Sequence, residues 1–447
     1  MNRLTISKNY NKIKHLLPIK TINLKNNKEI KNSLILLGGT IISQAIPLIT
    51  MPIITRLYSP EQFGIFTLYT SILNTCVVFG SLRYESSLIL PKYNKHALSL
   101  LYFFLSISII NSIIIYLGLL ICRSFSLFSL EKFSNTLIII LALSILMYSY
   151  IEFIRYWLIR KKTFRFLAIT KIIKVLGTST SQIVLHSITY FGLIYGALCG
   201  LISSIIANLI YLLKTTSIHK FKAKLFIGYK FAKKYNEFPK YVLPSTILDK
   251  FASQAPFLIA AQAYSKDQLG FLGLAFTTIY IPSIIIANTL QVIYVQKASE
   301  YRHSDPNKII SLVLKMTLLL SLCSIPPFLF IKLFGPSLFG LIFGQEWITA
   351  GKFAQILIIT TSIELLITPL SGIMSITNNI KLGSLWKLLH FSIKIPILIA
   401  ASKFSITTFL WVHTGTSILL YILYYIFIIK AALSVKIKEP SINLNTT

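Results

Sequence analysis

The sequence predicts an all-α polytopic membrane protein with about 12 transmembrane helices in two six-helix lobes, related as a parallel repeat, around a central cavity. Three observations support this fold class. Hydrophobic residues make up 54% of the 447 residues, and charged residues only 13%. Continuous apolar runs of about 20 residues, enough for a helix to cross a bilayer core, recur along the whole chain. One short polar phrase also occurs twice, with its copies almost half the chain apart.

The apolar runs form two groups of six, separated by a long polar stretch. They are continuously apolar and do not alternate over about ten residues, which favours helices over the strands of a membrane barrel. The twelve segments are 33–55, 64–82, 97–121, 136–157, 166–188, 192–213, 241–263, 269–294, 309–333, 353–377, 382–401 and 408–430. The predicted regions are a basic N-terminal tail (1–32), an N-lobe (33–213), a linker (214–240), a C-lobe (241–430) and a C-terminal tail (431–447).

Basic residues are concentrated in every second connection between segments. The N-terminal tail and the linker each hold eight Lys or Arg residues, whereas the connections on the opposite side hold two at most. Because Lys and Arg are retained in the cytoplasm, both termini and the linker are predicted to be cytoplasmic. The formal net charge of +31 is thereby explained by inner loops that face anionic membrane lipids, and it does not predict nucleic-acid binding.

The repeated phrase reads LYSPEQFGIFTL from Leu57 and AYSKDQLGFLGL from Ala263. In both copies a Ser precedes an acid, a Gln and a Gly, which is typical of a helix N-cap at a tight reversal between two helices. The copies join segments 1 and 2 and segments 7 and 8, so both lie on the predicted outer face. Six segments separate them, which makes the two halves parallel in the membrane, as in transporters built from parallel repeats.

Three stretches resemble a known family: NSLILLGGTIISQAIPLITMPIITRLYSPEQFGIFTLYTSIL, SLRYESSLILPK and LFGLIFGQEWITAGKFAQIL. They are similar to the O-antigen and capsule flippases of the polysaccharide-export family, within the multidrug/oligosaccharidyl-lipid/polysaccharide superfamily, and the likeness runs over residues 30–430. The resemblance implies two six-helix bundles with alternating access. It also implies a cargo of undecaprenyl-pyrophosphate-linked oligosaccharide, moved across the bacterial inner membrane without catalysis, and a polysaccharide polymerase and a chain-length regulator as partners.

Ionisable residues inside the segments are costly in a membrane and are therefore functional candidates. Six lysines are predicted to line a cationic cavity that neutralises a pyrophosphate, with ammonium groups as phosphate partners. Lysines near a segment end can instead reach the headgroups, and Lys250 lies deepest at about 15 Å from Lys240. The six are Lys171, Lys174, Lys250, Lys315, Lys387 and Lys394.

Three further residues are candidates for proton or ion coupling: Asp249, Glu364 and His390. The alternative interpretation is structural, with Asp249 paired to Lys250 and Glu364 paired to another lysine. The four cysteines lack CxxC spacing and predict neither a disulfide framework nor a metal site. No GxxxxGK[ST] motif occurs, so neither a nucleotide nor any other cofactor is predicted.

Two other function classes remain open at this point. An ion-coupled drug or cation exporter of the same superfamily is expected to carry acidic residues deep in the N-lobe, and segments 1–6 have none there. A membrane-bound glycosyltransferase needs a large outer loop or an extramembrane domain with clustered carboxylates, and every predicted outer loop is short. A membrane scaffold without transport activity makes no comparable demand on the sequence.

The topology is tested by single cysteines in a cysteine-free background. We expect Ser217→Cys and Thr447→Cys to react with a membrane-impermeant maleimide only after the cells are opened, because the basic segments face the cytoplasm. Labelling of Ser217→Cys from outside intact cells would overturn the assignment.

Overall fold

The computed structural model describes residues 28–215 and 225–437. The predicted tails therefore lie largely outside the described residues, as does the middle of the predicted linker. Within the described ranges, all regular secondary structure is helical.

The N-lobe contains one long helix for each predicted segment. Two short 3-10 helices, Tyr84–Ile89 and Leu127–Lys132, follow the second and third of them. The six helices are α1 (Lys28–Leu57), α2 (Pro60–Ser81), α3 (Asn94–Ser124), α4 (Asn135–Arg160), α5 (Phe164–Leu185) and α6 (Gly192–Thr215).

The C-lobe follows a short helix, α7 (Leu225–Lys234), which packs on α3 of the N-lobe. Its tenth predicted segment is not one helix, because a 3-10 turn at Thr368–Gly372 interrupts it next to Pro369. The helices of the C-lobe are α8 (Leu243–Ala263), α9 (Lys266–Ser304), α10 (Lys308–Phe343), α11 (Ile348–Ile367), α12 (Ile373–Ile376), α13 (Ile380–Ala401) and α14 (Ile406–Ile437).

Ten helical segments in the described ranges are long and apolar enough to cross a membrane. The predicted count of twelve is therefore not confirmed. Two of the twelve predicted segments are not among the ten: α5 and α8. Each carries two charged residues in its middle part, Lys171 and Lys174 in α5 and Asp249 and Lys250 in α8. The charged residues that mark a candidate site also lower the hydropathy by which a membrane helix is recognised.

The repeated phrase forms the same structure in both lobes. Ser59 caps α2, its hydroxyl accepting from the Gln62 amide at 3.4 Å while the Gln62 side chain accepts from the Ser59 amide at 2.9 Å. Ser265 and Gln268 cap α9 in the same reciprocal way. Each phrase is therefore a capping box that reverses the chain between two helices. We call the end of the molecule that carries both turns the hairpin end.

The two copies of the phrase also pack against each other. A Cβ built on Gly64 would lie 1.9 Å from the Lys266 carbonyl oxygen, and a Cβ built on Gly270 would lie 1.9 Å from the Pro60 carbonyl oxygen. Pro60 and Lys266 occupy equivalent places in the two copies, as do Gly64 and Gly270, so the contact is reciprocal. Only glycine allows two backbones to approach this closely.

Side-chain contacts reinforce the junction of the lobes at the hairpin end. Lys266 Nζ forms a salt bridge with Glu61 Oε1 at 2.7 Å. The buried Trp347 indole donates to the Thr55 carbonyl oxygen at 2.9 Å and lies edge-on to Phe63. The lobes therefore meet through backbone, ionic and aromatic contacts at this end, and the space between them lies further along α2 and α9.

Replacing Gly64 by Ala should open the hairpin end. The added methyl group overlaps the Lys266 carbonyl, and overpacking of this kind costs about 1–3 kcal/mol, which acts on the closed arrangement alone. We expect Asn74→Cys, on the cavity side of α2, to react faster with an impermeant maleimide added from outside cells. Gly415→Ala is the matched control, since its Cβ would meet nothing within 4 Å. Unchanged labelling in a folded Gly64→Ala protein would contradict the role of the contact.

Candidate functional site

A central cavity of about 430 Å³ lies between the two lobes. One wall is formed by α1 and α2, the other by α8 and α9, and its C-lobe side is completed by α11, α13 and α14. An N-lobe cavity of about 290 Å³ adjoins it and shares residues such as Phe63, Phe66 and Thr277 with its wall. Together they have the size of a site for a ligand larger than a simple ion.

The cavities bring together some of the predicted residues and leave others aside. Lys250, Lys394, Glu364 and His390 line the central cavity. Lys174 lines the N-lobe cavity. The remaining candidates line neither of these cavities: Asp249, Lys171, Lys315 and Lys387.

Lys394 lies at the centre of a buried polar cluster in the C-lobe. Its side chain is only 6% exposed, and its Nζ lies 3.5 Å from His390 Nε2. It interacts electrostatically with Glu364 across the cavity wall, although the two form no direct salt bridge. Glu364 also interacts electrostatically with Tyr421, which lines the same cavity. Because the carboxylate and the ammonium are near but not in contact, both remain able to bind another partner.

A second buried histidine, His413, belongs to this cluster and was not among the predicted residues. It lines the central cavity from α14, is 4% exposed and interacts electrostatically with Lys394 and His390. Within the part of the chain that the structure describes, the Nδ1 atoms of both His390 and His413 are buried without a hydrogen-bond partner. The criterion that selected His390, an ionisable residue inside an apolar segment, also applies to His413 within the run LWVHTGT.

Asp249 and Lys250 do not pair with each other. Adjacent residues of a helix point in different directions, and the carboxylate of Asp249 lies within electrostatic range of Glu364 and Tyr421, where it opposes further negative charge. Lys250 faces the central cavity half-buried, and within the described residues its ammonium has neither a salt bridge nor a hydrogen bond. Lys250 is therefore a cation that reaches the cavity without a partner.

The two lysines of α5 lie apart from this cluster. Lys171 donates to Thr40 Oγ1 on α1 at 2.9 Å. Lys174 donates to the Tyr148 hydroxyl at 2.7 Å, and its Nζ lies 3.9 Å from the centre of the Tyr148 ring. Only Lys174 therefore presents its charge to the N-lobe cavity, where it is held by a phenol and a ring face.

The other two candidate lysines lie away from the cavities. Lys315 is exposed on α10 and interacts electrostatically with Lys297. Lys387 is half-buried on α13, one turn before His390. Among the described residues, no group of three or more His, Cys, Asp or Glu residues has the geometry of a metal site.

The fold is similar to that of solved membrane transporters. The lipid II flippase MurJ, in an inward closed conformation, matches with a TM-score of 0.70 and 16% sequence identity over 90% of each chain. An inward-facing MATE multidrug transporter of the MOP superfamily matches with a TM-score of 0.64 and 12% identity, over 90% of this chain and 96% of the other. At these identities the matches establish a shared fold.

Sequence comparison gives the family. No curated protein sequence matched the chain. Residues 53–352 match the family described as polysaccharide biosynthesis protein, a range that includes the α2 and α9 capping boxes and Trp347. With most of its length matched and a transporter fold, this chain belongs to the polysaccharide biosynthesis protein family.

Proposed function

We propose that the protein is a flippase that moves undecaprenyl-pyrophosphate-linked oligosaccharide repeat units across the bacterial inner membrane by alternating access, for O-antigen or capsule synthesis. The observation that carries the proposal is the unpartnered ammonium of Lys250 in a cavity between two lobes, in a chain of the polysaccharide biosynthesis family. The flippase fold of the similar lipid II transporter supports it.

A lipid-linked pyrophosphate brings negative charge into the membrane interior, where a charge is costly unless it is paired. Lys250 supplies a free positive charge at the wall of the central cavity, and Lys394, which is more buried, lines the same cavity from another helix of the C-lobe. Lys174 adds a third positive charge in the adjoining N-lobe cavity. We assign Lys250 and Lys394 to the pyrophosphate, and Lys174 to the part of the cargo that extends towards the N-lobe. The other three candidate lysines line neither cavity, and we assign them no direct contact with the cargo: Lys171, Lys315 and Lys387.

Alternating access requires that the lobes separate at one end when they meet at the other. The hairpin end is closed by the glycine contact and by the salt bridge between Glu61 and Lys266. The topology predicted from the basic loops puts this end outside, which supports a state that loads from the cytoplasm. The same prediction has both termini in the cytoplasm.

Coupling to an ion gradient is assigned to the C-lobe cluster. Glu364 and His390 lie next to Lys394, and Asp249 lies within electrostatic range of Glu364; all three side chains can gain or lose a proton. A proton that binds Glu364 removes the charge that balances Lys394 and leaves the ammonium free for the phosphate. The cluster thereby links protonation to cargo binding in one place.

Export of a drug or another cation is the alternative. The carboxylate of Glu364 in the central cavity and the similarity to the MATE fold favour it. The lining of the N-lobe cavity argues against a cationic cargo: among the described residues its one charged side chain is Lys174, and a cation gains no attraction there. An anionic cargo fits both cavities.

The role of the deep lysines is tested by substitution. Lys250→Ala and Lys394→Ala should reduce export of the lipid-linked repeat unit at least tenfold, the loss expected for one charge-assisted contact of about 1.5–3 kcal/mol. Lys250→Arg should retain more export than Lys250→Gln, because the phosphate requires the positive charge. Lys315→Ala is the matched control at an exposed lysine. Full export by both alanine variants at normal expression would show that neither lysine contributes to transport.

Deletion of the protein tests the function as a whole. We expect undecaprenyl-pyrophosphate-linked repeat units to accumulate on the cytoplasmic leaflet, with surface polysaccharide lost and glycosyl transfer intact. Lipid extraction, combined with an assay of leaflet-specific accessibility of the oligosaccharide, measures this. A missing glycosyltransferase would leave the carrier lipid without its complete glycan, and a missing drug exporter would leave the glycan untouched. Normal surface glycan, with no intermediate and no second flippase, contradicts the proposal.

A further inference from the structure

Three uncharged polar side chains from three helices line the central cavity. Asn74 projects from α2, Gln254 from α8 and Thr277 from α9, all three as part of the cavity lining. Their side chains make no hydrogen bond to another described residue, in contrast to Thr67 and Thr70, whose hydroxyls donate to the carbonyls of their own helix. We call Asn74, Gln254 and Thr277 the polar belt.

The belt has the hydrogen-bonding capacity that a polyhydroxylated ligand needs. Each amide offers two donors and an acceptor with two lone pairs, and the Thr277 hydroxyl both donates and accepts. Polar groups that line a site in a membrane protein and lack an internal partner are satisfied by water or by a ligand. The belt carries no charge, so its chemistry differs from that of the neighbouring lysines.

Aromatic rings stand next to the belt. Phe66 lies at the junction of the central and N-lobe cavities, and no aromatic ring contact with another described residue covers its face. On the opposite wall, Phe276 stacks on Tyr280 at 4.9 Å and meets Phe257 edge-on. Ring faces of this kind pack against the apolar C–H face of a sugar, while hydroxyl groups around the sugar reach amide and hydroxyl partners.

We propose that the polar belt and Phe66 bind the sugar residues next to the pyrophosphate of the cargo, a claim that rests on the proposed function. The register of α8 sets this order along the ligand. Lys250 and Gln254 are four residues apart on one helix face, so a phosphate at Lys250 places the first sugar at Gln254. Asn74 and Thr277 then reach the sugar from α2 and α9. The glycan continues past Phe66 into the N-lobe cavity, towards Lys174.

The proposal makes recognition of the sugar separable from recognition of the phosphate. A site that hydrogen-bonds hydroxyl groups discriminates strongly against a ligand that lacks them, since its own polar groups are then left unpaired. A polyprenyl pyrophosphate without sugar uses the lysines alone. The same lipid with its repeat unit uses the lysines and the belt, and the difference in affinity between the two ligands measures the belt.

The test measures binding of two ligands to the purified full-length protein: undecaprenyl pyrophosphate, and undecaprenyl pyrophosphate that carries the oligosaccharide repeat unit. Gln254→Leu, Asn74→Leu and Thr277→Val remove polar groups while nearly preserving side-chain volume. We expect each to raise the Kd of the glycosylated lipid about tenfold, the factor for loss of one or two hydrogen bonds, and to leave the Kd of undecaprenyl pyrophosphate unchanged. Unchanged binding of the second ligand also shows that the variant is folded.

Two controls separate this claim from the proposed function. Gln296→Leu replaces an exposed amide of α9 outside the cavity and should affect neither ligand. Lys250→Ala should weaken both ligands equally. Belt variants that leave both Kd values unchanged, or that weaken both ligands equally, overturn the sugar site while the flippase proposal stands. A wild-type protein that binds neither ligand overturns the proposed function itself.

Discussion

The contact between Gly64 and Gly270 is the constraint on which the rest of the structure depends. Each glycine receives a backbone carbonyl of the other lobe where a side chain would otherwise begin. The capping boxes at Ser59 and Ser265 fix the start of both helices, so that the glycines fall at the crossing. Because the lobes are held this tightly at one end, they diverge along α2 and α9, and the central cavity is the space that results.

The helices and their caps could be predicted from the sequence. The contact between the two copies of the phrase could not. Apolar length located the long helices, and the Ser-to-Gln spacing indicated the two helix starts. The offset between the copies of the phrase gave their equivalence but carried no information on whether equivalent residues touch. Gly64 and Gly270 were visible as part of the turn, whereas their reciprocal contact follows from the crossing of α2 with α9. For the same reason the count of spans was uncertain at α5 and α8, where charge replaces apolar surface.

The candidate site was predictable where charge marked it. Lys250 and Lys394 were selected by depth, and both line the central cavity. The direction in which a side chain points from its helix was harder to predict. Lys171 and Lys174 share a face of α5, yet Lys171 contacts α1 and Lys174 contacts the Tyr148 ring. Asn74, Gln254 and Thr277 gave no signal at all. Uncharged polar residues occur in membrane helices also as hydrogen-bond partners between helices, and only the cavity distinguishes these three from residues that bond within the protein.

The two lobes share a backbone arrangement but differ in the side chains at corresponding positions. These differences support the proposal of a cargo with two unlike ends. Counted back from the ends of α1 and α8, Leu57 and Ala263, Gln44 falls at the same distance as Lys250. Within the described residues, the side-chain oxygen of Gln44 is buried without a hydrogen-bond partner, so in this register one lobe has an amide where the other has a cation. Ser71 and Thr277 correspond in the same register and keep a hydroxyl group in both lobes. The hydroxyl groups on both walls and the cation on one wall therefore support the proposal of a cargo with sugar at one end and phosphate at the other.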